Sequence, residues 1–127
     1  MKAGDPWGGG DLLDPTSFAS MLQTGQKPVV LCVGVALLYR SAHIVGAKYA
    51  GPASNPDGLA LLRQTARDLP RDQPLVIYCG CCPWQHCPNI RPAYAALKKL
   101  GFQKIRVLAL PTDFHHDWVE AGLPVAK

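Results

Sequence analysis

An apolar, partly β-branched run, Pro74-Leu75-Val76-Ile77-Tyr78, passes directly into a loop holding four of the chain's five cysteines, and then into a segment of helical periodicity from Arg91 to Leu100. Proline at the first turn of that segment suits a helix start, because the N–H it lacks would have no partner there. Strand, loop and helix in that order form one unit of a parallel α/β sheet. In such a sheet the loop lies at the carboxyl edge of the strands, where ligands bind, and its thiols face the positive end of the following helix. Thiolate chemistry is therefore the leading expectation for Cys79, Cys81, Cys82 and Cys87.

The remaining pattern extends the same architecture. Asp14 as cap, Pro15 at the first helical position and Gly25 as terminator predict a helix over Pro15 to Gln23. Pro28 to Val33 reads as a buried strand, Gly34 to Arg40 as a short helical turn or loop, and Ala42 to Ala50 as a turn into another short strand. Asn55-Pro56-Asp57 starts a helix expected to run to Leu69, where Pro70 stops it. Gly101 closes the helix after the cysteine loop, Lys104 to Leu110 is a last buried strand, and Asp113 to Ala121 a last helix ended by Gly122 and Pro124. Strands alternate with helices, and no repeat or low-complexity segment interrupts them. The expectation is an α/β domain over residues 11–127, with a central, mostly parallel five-stranded sheet and helices on both faces, preceded by a glycine-rich arm over residues 1–10.

At 127 residues the chain is long enough to bury one core without disulfide staples. The formal charge of +4 is mild and spread along the chain, and no aromatic residues interleave Lys98, Lys99, Lys104 and Arg106, so nucleic acid is not an expected partner. Nor is a membrane: no apolar run approaches the ~20 residues that cross one. The cytoplasm is the default location, with the periplasm or a secreted state as the alternative if Met1 stands on a trimmed mature chain. A disulfide framework spreads its cysteines to staple distant loops, whereas here four fall within nine positions, which points to a site.

Several segments together resemble the rhodanese family of single-domain sulfurtransferases. AHIVGA, Ala42 to Ala47, is similar to the family's Gly-His-Ile-Pro-Gly-Ala stretch, and LVIYC, Leu75 to Cys79, to the strand that ends in its nucleophilic cysteine. RPAYAALKKLGF, Arg91 to Phe102, resembles the helix after the active-site loop, and DWVEAGLPV, Asp117 to Val125, the closing segment. The resemblance spans about Leu12 to Val125. It implies a rhodanese-like fold and a thiolate that takes sulfane sulfur from thiosulfate or a persulfide, carries it as a cysteine persulfide, and yields it to a thiol. Two departures stand out. Cys32-Val33-Gly34 replaces the Asp-Val-Arg triplet usual on the early strand, and eleven residues separate Cys79 from Arg91 where the family has about five.

Cys79 is the first candidate nucleophile because a strand end holds its sulfur firmly; Cys82 is the fallback, since a lengthened loop can swing it into the same place. Cys81, Cys82 and Cys87 also allow thiol exchange, by attack on a neighbouring persulfide or by a disulfide such as Cys82–Cys87. Gly80, Trp84, His86 and Arg91 are the candidate substrate-binding residues, Arg91 for an anionic donor and Trp84 and His86 as groups that shape the pocket or tune a thiol. His43 reads as a structural hydrogen bonder, His115-His116 as surface residues, and Tyr39 and Arg40 as rim groups. No cofactor and no metal is expected. Four thiols with His86 exceed what zinc needs, but one continuous loop with adjacent Cys81-Cys82 is awkward for a tetrahedron. The expected partners are a small anionic sulfur donor and a thiol acceptor, with a protein thiol as one form of the acceptor. The rival reading is a non-enzymatic module on a rhodanese-like fold whose loop binds a thiophilic metal or a protein.

Overall fold

The computed structural model describes residues 11–25, 28–80 and 83–126. Residues 1–10, including the expected arm, and the loop positions Cys81 and Cys82 lie outside them. The elements run β1 (Leu12–Leu13), α1 (Pro15–Gln23), β2 (Val29–Cys32), α2 (Ala36–Ser41), β3 (His43–Ile44), β4 (Lys48–Tyr49), α3 (Pro56–Ala66), β5 (Leu75–Tyr78), α4 (Ile90–Lys99), β6 (Ile105–Leu108) and β7 (Val125–Ala126). A single 3-10 turn, Trp84–His86, sits before α4, and a π-helical turn, His115–Val119, follows β6.

Five strands pair in the order β1-β6-β5-β2-β4, every pair parallel. β5 lies at the centre, with Val30 opposite Val76 on one side and Val76 opposite Arg106 on the other. Side chains alternate across the sheet. Leu31, Val33, Leu75, Ile77 and Cys79 pack with Leu62 and Ala66 of α3 and with Ile90, Ala93, Tyr94 and Leu97 of α4. Val30, Cys32, Val76 and Tyr78 face the other way, onto Phe18 and Ala19 of α1 and onto Phe114 and Trp118. A strand apolar on both faces is what a parallel sheet covered by helices requires.

The helix caps are those the sequence predicts. The Asp14 carboxylate accepts from the Ser17 N–H at 3.1 Å, and the Asn55 side chain from the Gly58 N–H at 2.8 Å, each followed by proline at the first helical position. Among the described residues no helix is long and apolar enough to cross a membrane.

Four details differ from the sequence expectations. β1 and β7 are two-residue strands that carry no period of their own. β7 pairs antiparallel with β3 in a small separate sheet, His43 opposite Ala126 and Ile44 opposite Val125. α3 stops at Ala66 rather than Leu69, and the Arg71 guanidinium takes the Leu69 carbonyl at 2.7 Å and the Arg67 carbonyl at 3.2 Å. The last helix is only the π-helical turn, because its Asp117 carboxylate accepts from the Thr112 and Asp113 N–H groups and the wider winding buries Trp118 completely.

Tyr78 ties the two sheets together. Its hydroxyl accepts from the Ile44 N–H at 3.2 Å, and burial, followed by the nearby Cys32, pushes its ionisation far above the ordinary tyrosine range. Removing that hydroxyl leaves a buried N–H without its acceptor. Tyr78→Phe should therefore cost about 1–3 kcal/mol, read as a lowered urea midpoint with an unchanged slope.

Candidate active site around Cys79

Four segments meet at the carboxyl end of β5. The strand delivers Cys79, which is 4% exposed, one residue past its last paired position. Beside it the extension of β2 continues the ladder through Val33, whose N–H donates to the Tyr78 carbonyl at 2.9 Å. The segment after β4 is pinned to that extension, Ala53 N–H donating to the Val33 carbonyl at 3.0 Å. Finally Asn89, immediately before α4, turns inward and is 2% exposed.

These segments converge on one sulfur. The Asn89 Nδ2 donates to the Cys79 Sγ across 3.2 Å, while its Oδ1 accepts from the Ser54 N–H at 2.9 Å. Gly34 presses on the other side, where a Cβ would stand 2.5 Å from the Cys79 carbonyl oxygen and 3.0 Å from its sulfur. The glycine that replaces the family's arginine is thus what lets the two strand ends approach. Gly80 follows with φ of +97°, a conformation that favours glycine, and its carbonyl accepts from the Phe114 N–H at 3.2 Å.

The other predicted site residues are placed as follows. Cys87 is 2% exposed and belongs to the same buried cluster as Cys79, against which the half-buried Trp84 also packs. The Trp84 N–H donates to the Leu110 carbonyl at 3.0 Å, anchoring the loop to the chain beyond β6. His86 points outward as part of the 3-10 turn, and Arg91 is half-buried at the second position of α4. His43 makes the structural bond expected of it, Nδ1 to the Tyr39 carbonyl at 2.9 Å, with its ring stacked on Tyr39.

Asn89 is the functional candidate that sequence reasoning missed. An asparagine just ahead of a helix reads as a cap, and no residue pattern shows that its side chain makes no capping bond and faces a cysteine ten positions back. Cys32, which the sequence places in a buried strand and in the replaced triplet, carries no sequence signal of a site role. Its thiol, 1% exposed, sits on the opposite face of the sheet and approaches the Cys79 carbonyl oxygen at 4.0 Å. A cavity of about 270 Å³ opens on that face beside Gly80 and Phe114, bounded by Leu38, Ala42 and Val119, and Cys32 and Cys79 both line a small void that shares Leu38, Ala42, Gly80 and Phe114 with it. A larger cavity of about 420 Å³, near Lys104 and Arg106, lies at the amino edge of the strands and is not lined by Cys79 or Cys87.

Comparison with known proteins gives the class. No family model and no curated protein matches the chain. Solved structures do. The rhodanese-like domain of the Alr3790 protein from Anabaena sp. matches with a TM-score of 0.68 at 19% identity, over 91% of this chain and 78% of that one. The BH2092 protein from Bacillus halodurans matches at 0.69 and 20% identity, over 90% and 74%. A single-domain sulfurtransferase of Saccharomyces cerevisiae, RDL2, matches at 0.65 and 12% identity, over 96% and 95%. The chain has a rhodanese-like fold, with Cys79 at the end of its central strand.

Two outcomes follow from this geometry. Gly34→Ala should lower stability by about 1–3 kcal/mol in denaturant titration, since a methyl group there has to displace backbone, and should slow alkylation of Cys79 in the folded protein. At the cavity mouth, Asp113 accepts from the His116 Nδ1 at 2.9 Å, and this hydrogen bond, then the charge, raises the histidine above its ordinary 6.5. The pairing favours the protonated ring, so its contribution is complete below 6.5 and disappears as pH rises through the folded value. NMR titration should place the His116 midpoint above 6.5 and return it toward that value in Asp113→Asn.

Proposed function

We propose that this chain is a sulfurtransferase that moves sulfane sulfur from thiosulfate or a persulfide to a thiol acceptor through a persulfide on Cys79. The observation that carries the reading is the placement of the Cys79 sulfur: at the end of the central strand, against Gly34 and under the Asn89 amide. The yeast neighbour is a sulfurtransferase, which supports the same class.

The chemistry balances without a redox partner. The Cys79 thiolate attacks the outer sulfur of thiosulfate, the S–S bond of the donor breaks, and sulfite leaves with the electron pair. The persulfide then holds the transferred sulfur as its terminal atom. An acceptor thiolate attacks that atom, the persulfide S–S bond breaks, and Cys79 departs as a thiolate while the acceptor carries away the persulfide. Arg91, half-buried at the helix start, is suited to attract an anionic donor. The Gly80 carbonyl and the Trp84 N–H anchor the loop to Phe114 and Leu110, and the exposed His86 is available to contact a substrate. The buried sulfur favours a small donor. Cys81, Cys82 and Cys87 serve thiol exchange within the loop.

Intact-mass measurement after thiosulfate treatment tests the class directly, the expected result being a gain of one sulfur atom that is lost on adding a thiol. Cys79→Ser should remove that gain while leaving the fold intact, because serine is nearly isosteric and forms no persulfide. Full activity in Cys79→Ser combined with loss in Cys82→Ser would move the nucleophile to the fallback position.

A further inference from the structure

We infer that Asn89 is a catalytic residue of this site, a neutral donor whose amide holds negative charge on the Cys79 sulfur. The inference rests on the sulfurtransferase reading for its role in turnover, and on geometry alone for its effect on the thiol.

Asn89 is the one buried amide or charged side chain among the described residues, at 2% exposure, and both ends of its amide are engaged. The Ser54 backbone N–H can only donate, so the oxygen of the Asn89 amide has to face it, at 2.9 Å. That leaves the NH2 group directed at the Cys79 sulfur, 3.2 Å away. The orientation is therefore fixed by a backbone group rather than by an arbitrary assignment of nitrogen and oxygen. The residue also gives up its usual local role. With φ of −96° and ψ of −30° it makes no side-chain capping bond to α4. Its amide bridges the segment after β4 to the end of β5 instead.

Such a donor acts at two points in the reaction. The Cys79 Sγ is negatively charged as the attacking thiolate and again as the leaving thiolate, when the acceptor takes the outer sulfur. Between these points the charge sits on the outer sulfur of the persulfide, one bond farther from the amide. A donor fixed on Sγ thus raises the fraction of attacking thiolate at neutral pH, and in the second step it meets the charge that develops on the departing sulfur without reorganisation. Burial strengthens the interaction, because no water competes for the sulfur on that side.

Asn89→Asp separates this role from a purely structural one. Aspartate keeps the shape of the side chain and an oxygen for the Ser54 N–H, but sets a carboxylate against the sulfur in place of a donor. The readout is the rate of Cys79 alkylation by a neutral reagent as a function of pH, followed by peptide mass mapping. The midpoint should rise by about one unit or more, as expected for a like charge in contact. Asn89→Ala, which removes the donor without adding charge, should shift it in the same direction by less, and should lower turnover at neutral pH with partial recovery in alkali. If Asn89→Asp fails to fold, the alanine variant decides. Unchanged alkylation midpoints in the folded variants would overturn the inference, since a residue that only staples two segments lowers stability without moving a thiol titration. Failure of the function itself looks different: a wild-type protein that gains no sulfur from thiosulfate, with the midpoint still displaced in Asn89→Asp, rejects sulfur transfer and retains the donor.

Discussion

Everything at the candidate site depends on β5 being buried on both faces and paired on both edges. Leu75 to Tyr78 are all buried, and the strand is bound by β2 on one side and by β6 on the other. A strand held in this way has no freedom in where it ends. Its side chains alternate strictly, so Ile77 in the α3–α4 layer forces Cys79 into that layer and Tyr78 into the opposite one. A one-residue slip would exchange the two and place the tyrosine hydroxyl among aliphatic side chains. The position of the sulfur is thus a consequence of sheet register, set by burial that costs several kcal/mol to rearrange.

The same register explains how much was legible in the sequence. β2, β5 and β6 are short apolar runs bounded by proline or glycine, and α1, α3 and α4 carry their own start signals, so the alternation and the parallel sheet could be read directly. The edge elements could not. Leu12–Leu13 and Val125–Ala126 are strands only because a neighbour supplies the ladder, and two residues display no period. The ends of the helices were misjudged where distant groups decide them: Arg71 takes carbonyls beyond α3, and Asp117 folds the last segment back on Thr112 and Asp113. For the site, Cys79 was accessible because strand-end position and residue type coincide in one stretch of chain. Asn89 was not, because its partners lie thirty-five positions away at Ser54 and ten at Cys79, and its local context suggests a cap.

The two departures from the family pattern come together in the structure. With Gly34 in place of a long cation, the end of β2 lies close against Cys79 and brings no charge to it. With the loop lengthened, α4 begins at Ile90 and the residue before it, Asn89, donates to the sulfur. On the role inferred for Asn89, a thiolate held by an oriented amide without the triplet's charges is governed by geometry more than by long-range attraction, because a dipole falls off faster with distance than a charge and has to be aimed. The tether from Ser54 supplies that aim. The segment after β4 is thus tied to the candidate site through Asn89, and the Ala53 to Val33 hydrogen bond that holds this segment to the extension of β2 belongs to the same arrangement. Loosening either bond lets the amide rotate away while the core beneath it, fixed by the register of β5, stays as it is.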